Sequence, residues 1–138
     1  MRIAEIAPPW VSVPPPSYGG IELVVSLIAD GLVDRGHDVT LFASGGSRTK
    51  GTLVSPLEET PKLAEMGVSV TDDTIHTLSA YLHAEEFDVI HDHSGWGPAY
   101  GALLNGKPPV VRTLHGPWSD EACRFHAALA GRVHLVAI

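Results

Sequence analysis

A three-layer α/β sandwich, with helices on both faces of a mostly parallel sheet, is the fold class that three observations in this sequence predict. Short apolar runs alternate with helical patterns from one end of the chain to the other. The runs are continuously apolar instead of alternating in and out, as strands covered on both faces are. Gly and Pro fall at the junctions between the two kinds of segment.

The first run, Arg2 to Ala7, is rich in Ile and Ala and stops at Pro8-Pro9, so it reads as a short strand beginning almost at the first residue. Residues 8–20 hold five of the eleven prolines together with Trp10, Ser17 and Tyr18, which predicts a stiff, irregular loop. The adjacent Gly19 and Gly20 predict a turn with positive φ into a helix. That helix runs from Ile21 to about Arg35. Glu22, Ser26, Asp30 and Asp34 form one narrow polar stripe and apolar residues cover the rest, the pattern of a helix packed on nearly all sides. Gly36 caps it, and Asp38 to Ala43 makes the second strand.

Residues 44–51 form a polar loop at the carboxyl end of that strand, the edge where such sheets place ligands, and read as a second binding loop or, in preference, a mobile one. A short strand follows at Thr52 to Val54, then a short helix around Pro61 to Met66 closed by Gly67. Thr71 and Asp72 offer caps for a helix running to about Glu86, with Ile75, Leu78 and Leu82 inward and His76 and His83 on the surface. Then come a strand from Phe87 to Asp92, a helix from Trp96 to Asn105, a strand from Pro109 to Leu114, a helix from Ser119 to Ala130 and a last, buried strand from Val133 to Ile138.

One domain is the default for 138 residues that are 44% hydrophobic. A net charge of -7 leaves no basic patch for nucleic acid. The single cysteine, Cys123, cannot form an internal disulfide, no secretory h-region interrupts the start, and no apolar stretch approaches the roughly 20 residues of a membrane span, so the cytoplasm is the expected compartment.

Three clusters fall at the carboxyl ends of successive strands, where open α/β sheets bind their ligands. After the first, the amides around Gly19 and Gly20 and the start of the helix suit an anion such as phosphate, or simply make a tight turn. After the fourth come His91, Asp92, His93 and Ser94. His91 and His93 point the same way and have a metal-ligand spacing, with His115 or Asp92 as the third ligand, or one of them is a hydrogen-bonded core histidine. After the fifth, His115 is placed to bond a sugar hydroxyl or a developing charge, or only faces water. Trp118 beside it offers a stacking surface or a packing residue, and Glu22 favours the helix dipole or orients a hydroxyl.

Taken in order, Arg2 to Ala7, Tyr18-Gly19-Gly20-Ile21-Glu22, Arg35 to Phe42, Phe87 to His93 and Val111 to Gly116 resemble the N-terminal half of a retaining glycosyltransferase of the GT-B fold, in the family 4, group 1 type. The resemblance covers almost the whole chain. It implies a Rossmann-like domain, residues 1–138, that contacts the acceptor, facing a second domain that holds the nucleotide-sugar. By motif, Gly19 and Gly20 resemble the loop that approaches the donor diphosphate, and His115 resembles the histidine that bonds the transferred sugar. Glu22, His93, Ser94 and Trp118 would lie toward a sugar or lipid acceptor.

The implied reaction transfers a hexosyl group with retention from a nucleotide-sugar co-substrate, without a cofactor or an essential metal. The family's basic pair and acidic motif are absent from these residues, which implies a chain inactive alone and completed by a further domain or a separate chain. Self-association through the sheet edge near Ile138 is a further expectation. The competing readings are a metal-dependent hydrolase using His91, His93 and His115, and a non-catalytic α/β module that binds a nucleotide or a partner. A dinucleotide enzyme is disfavoured, since no Gly-x-Gly-x-x-Gly follows the first strand.

Overall fold

In a computed structural model, which describes residues 1–57 and 69–138, the chain is the expected α/β sandwich. The elements are β1 (Arg2–Ile6), α1 (Gly20–Asp34), β2 (Asp38–Phe42), β3 (Thr52–Val54), α2 (Val70–Tyr81), β4 (Val89–Asp92), α3 (Gly97–Gly101), β5 (Val110–Leu114), α4 (Asp120–Ala128) and β6 (His134–Ala137). Single 3-10 turns follow α2 and α3, at Ala84–Glu86 and Ala102–Leu104. The helix expected around Pro61 to Met66 lies outside the described residues.

The sheet order is β3-β2-β1-β4-β5-β6, and every adjacent pair is parallel. The order reverses direction between β1 and β4, the switch point beside which such sheets open a crevice at their carboxyl ends. One face of the sheet carries Ala4, Ile6 and Ile90 into a core with Ala80, Tyr81, Ala102 and Leu129. The other carries Ile3 and Val39 against Ala29 of α1, and Ala7 and Leu41 against Val25.

Several expectations need correction. Gly19 is extended, with φ 168°, and Gly20 is not in the left-handed region, so this bend does not depend on positive φ. Gly19 is required instead by proximity: a Cβ there would sit 2.6 Å from Cβ of Pro15. Gly36, at φ 84°, does close α1 as expected, its amide bonding the carbonyl of Val33.

Helix α1 is packed on one side and not all round, because Leu23 and Leu27 are half or more exposed. Its polar stripe faces the loop that was expected to move. Asp30 accepts from Thr49 Oγ1 at 3.0 Å and from the Lys50 amide at 2.9 Å, and Asp34 pairs with Lys50 at 2.6 Å. The Val13 amide donates to Ser47 Oγ, and the Arg48 amide donates back to the Val13 carbonyl, so residues 44–51 are fastened to the proline-rich loop as well.

In α2 the cap is Ser69, whose hydroxyl accepts from the Thr71 amide. Its buried face is Asp73, His76, Thr77, Ala80 and Tyr81, while Ile75 and Leu82 are exposed. Of these, His76 and Tyr81 meet polar partners there, while Oδ1 of Asp73 and Oγ1 of Thr77 have no hydrogen-bond partner among the described residues. His76 Nε2, buried and not on the surface, donates to the carbonyl of Ala7 at 2.8 Å. His83 is exposed as expected. At the far end, β6 is an exposed edge strand and not a buried one. No helix among the described residues is long and apolar enough to cross a membrane.

Candidate functional site

Parallel registry builds the site. Glu5 on β1 stands opposite His91 on β4, and His91 opposite Val111 on β5. Side chains alternate between faces along a strand, so Glu5, His91, Thr113 and, one step past the strand ends, His93 and His115 share the α1 side of the sheet. The amide of His93 bonds the carbonyl of Ile6 at 2.9 Å, which carries the ladder to the point where the histidines meet.

The side chains form a continuous polar line. Thr113 Oγ1 lies 2.8 Å from Nε2 of His91, whose Nδ1 lies 3.0 Å from Oε1 of Glu5. Oε2 of Glu5 is 3.3 Å from Nε2 of His93, and Nδ1 of His93 is 2.7 Å from Nε2 of His115. Glu5 is wholly buried, His93 almost so, and His115 is half-buried. Burial pulls His93 below the usual imidazole range, against the opposing pull of Glu5. Burial first, then the charges of His93, Arg112 and His91, lower His115 to about 4. At neutral pH both rings are uncharged.

The sequence-predicted metal set does not assemble. Asp92 faces the opposite side of the sheet, where Tyr81 holds it, and His115 bonds the far nitrogen of His93 without converging on His91. The groups that do converge are Glu5, His91 and His93, with one ligand-type atom from each within 4.8 Å of the others. Glu5 was missed. Its signal was a charged residue inside an otherwise apolar central strand, a placement that demands buried partners.

At the start of α1, no heavy atom approaches within 4 Å of where a Cβ on Gly20 would sit, while Oε2 of Glu22 lies 2.9 Å from the corresponding point on Gly19. Glu22 is buried, and that burial pushes its carboxyl upward against a hydrogen bond from its own amide. Its carboxylate thus stands at the helix end where an anionic ligand was expected. Ser94 is also buried. Its hydroxyl accepts from the Gly97 amide and its own amide donates to Asp92, so it turns the chain into α3 and offers no acceptor surface.

Trp118 is more than half exposed and meets the ring of His126 edge-on. With Arg112, Leu114, His115, Gly116, Pro117 and Ala122 these two line a hollow of about 180 Å³ at the end of β5, with Arg112 and Leu114 coming from the Asp92 face of the sheet. A larger hollow of about 510 Å³, between β2, β3 and the end of α2, contains none of the predicted site residues. The site described here is therefore the smaller one, where buried polar groups reach the surface.

Two comparisons bear on this arrangement. A phosphatidyl-myo-inositol mannosyltransferase from Mycolicibacterium smegmatis is 27% identical over 124 residues, covering 83% of this chain and 31% of that protein. The chain thus spans about a third of the length of that relative. The family model of Glycosyltransferase Family 4 matches residues 18–136, from the tyrosine before Gly19 into the last strand, and the chain belongs to that family.

Proposed function

We propose that the chain is the acceptor-side domain of a retaining glycosyltransferase that moves a sugar from a nucleotide diphosphate donor to a sugar or lipid acceptor. The observation that carries this reading is the half-buried imidazole of His115, pulled down to about 4 by burial and held from behind by His93, on a residue that with Trp118 lines a hollow at the end of β5. A neutral ring at that rim can bond a hydroxyl of the transferred sugar near the reacting carbon without adding charge in the ground state. Trp118 supplies an apolar wall for an acceptor.

The amides at Gly19 and Gly20 would approach the donor diphosphate, and the fixed dipoles of the helix end would stabilise the departing phosphate. Glu22 has to move aside or stay protonated for that approach. The nucleotide is assigned to a second domain, so the isolated chain is expected to show no turnover. The name of the similar mycobacterial protein makes a mannosyl donor and an inositol-lipid acceptor the first pair to assay.

The test is transfer by the protein completed with its nucleotide-binding half, with the anomeric configuration of the product read by NMR. His115→Ala should lower turnover by on the order of 10²- to 10³-fold. Full activity in that variant, or an inverted product, would overturn the assignment.

A further inference from the structure

Building on the sugar-contacting role of His115, we propose that Glu5 is a positioning residue that acts through His93 to fix which nitrogen of His115 carries the proton. With one proton on each ring, the order follows from hydrogen-bond chemistry. A carboxylate can only accept, so both nitrogens that face Glu5 are placed to carry hydrogen: Nδ1 of His91 at 3.0 Å and Nε2 of His93 at 3.3 Å.

Each assignment forces the next. A neutral His93 protonated on Nε2 has only a lone pair on Nδ1, so across the 2.7 Å contact His115 must be the donor, through its Nε2–H. His115 is then left with an unprotonated Nδ1, which has no hydrogen-bond partner among the described residues. That nitrogen accepts, and a sugar hydroxyl donates to it. On the other branch, His91 protonated on Nδ1 accepts at Nε2 from the hydroxyl of Thr113 at 2.8 Å, which completes the line without a clash of donors.

Two further observations support the line. Oε2 of Glu5 and Nε2 of His93 are both buried and neither has an aligned hydrogen-bond partner among the described residues; each is the polar atom 3.3 Å from the other, so a small turn of either side chain would join them. Burial holds His93 and His115 neutral, the state in which one proton per ring makes the order unambiguous. The cost of burying Glu5 in a central strand is thereby tied to the direction of a hydrogen bond at the rim.

Long-range proton–nitrogen NMR on histidine-labelled chain at neutral pH reads all three rings without any assay of transfer. The expected pattern is hydrogen on Nδ1 of His91, Nε2 of His93 and Nε2 of His115, with a coupling through the hydrogen bond between Nδ1 of His93 and Nε2 of His115. Glu5→Gln adds a second reading. The amide keeps an acceptor oxygen in one of the two carboxylate positions and puts an NH2 donor in the other, so His91 or His93 must change tautomer. Hydrogen on Nδ1 of His93 or of His115 in the native chain overturns the proposal, as does a folded Glu5→Gln with both rings unchanged.

Zinc titration closes the remaining alternative. Stoichiometric binding that displaces the Nε2 proton of His93 would make Glu5, His91 and His93 a cation site and end the positioning role. The native spectrum decides even if the variant does not fold. In the completed enzyme, Glu5→Gln should lower kcat by at least ~10-fold with donor KM little changed. The two readings fail separately: the tautomer pattern stands if His115 proves irrelevant to transfer, and a catalytic His115 stands if the pattern is wrong.

Discussion

The hydroxyl of Tyr81 donates to Oδ2 of Asp92 at 2.6 Å inside the core, on the face of the sheet turned away from the histidines. Asp92 also accepts from the Ser94 amide at 2.6 Å and lies 3.9 Å from the Arg112 guanidinium. This cluster fixes the turn that carries His93 from below. Tyr81→Phe should cost about 1.5 to 3 kcal/mol of stability, the usual range for a hydrogen bond to a charged group, measured by urea denaturation. A loss below about 0.5 kcal/mol would mean that water replaces the phenol.

Gly97 sits against the same cluster. A Cβ there would overlap the Asp92 carboxylate and press on Ser94 Oγ at 2.5 Å and on Thr77 Cγ2 at 2.6 Å. Gly97→Ala should therefore destabilise by about 1 to 3 kcal/mol, the cost of overpacking a filled site. Gly20→Ala, where nothing stands within 4 Å, should leave stability nearly unchanged. Equal thermal shifts for the two variants would contradict this account.

Acid should weaken the fold in a defined window. Burial lowers His76, His93 and His115 below their ordinary range, so the native state takes up fewer protons than the unfolded chain. Stability is then fully present above about pH 6.5 and is lost as pH falls toward the native values. Glu22 and Asp73, raised by burial, act in the opposite sense at lower pH. His76→Gln, which can still donate to the Ala7 carbonyl, should flatten the slope of stability between about pH 6.5 and 5. An unchanged slope would show that His76 protonates freely in the native state.

The loop of residues 44–51 should loosen when its anchor is removed. Asp30→Ala deletes the acceptor for Thr49 and for the Lys50 amide, and hydrogen exchange at that amide should accelerate. Asp34→Ala removes only an exposed ion pair with Lys50 and should change little. Exchange that responds equally to both would place the anchor elsewhere.

Strand positions and parallel order were legible because buried parallel strands leave long apolar runs, and the described elements follow them closely. The buried face of α2 was not legible. Thr77 and Ala80 are buried there although neither is a large apolar residue, and His76 bonds the Ala7 carbonyl, neither of which periodicity reports. At the site, His-x-His correctly gave two rings on one face. Glu5 could not be paired with them from sequence, since its partner lies 86 residues away and is fixed only by the register of two strands. The closeness of Glu22 to Gly19 was equally invisible, because a carboxylate near a helix start does not reveal which way it folds.

The alignment of β1 with β4 also guards against misassembly. Sliding β4 by one position would turn its imidazoles toward the hydrocarbon layer around Ala4 and Ile6, take Ile90 out of that layer and bring the carboxyl group of Asp92 to the side of Glu5. The line of side chains that orders one proton at the rim would thus also penalise a one-residue slip during folding.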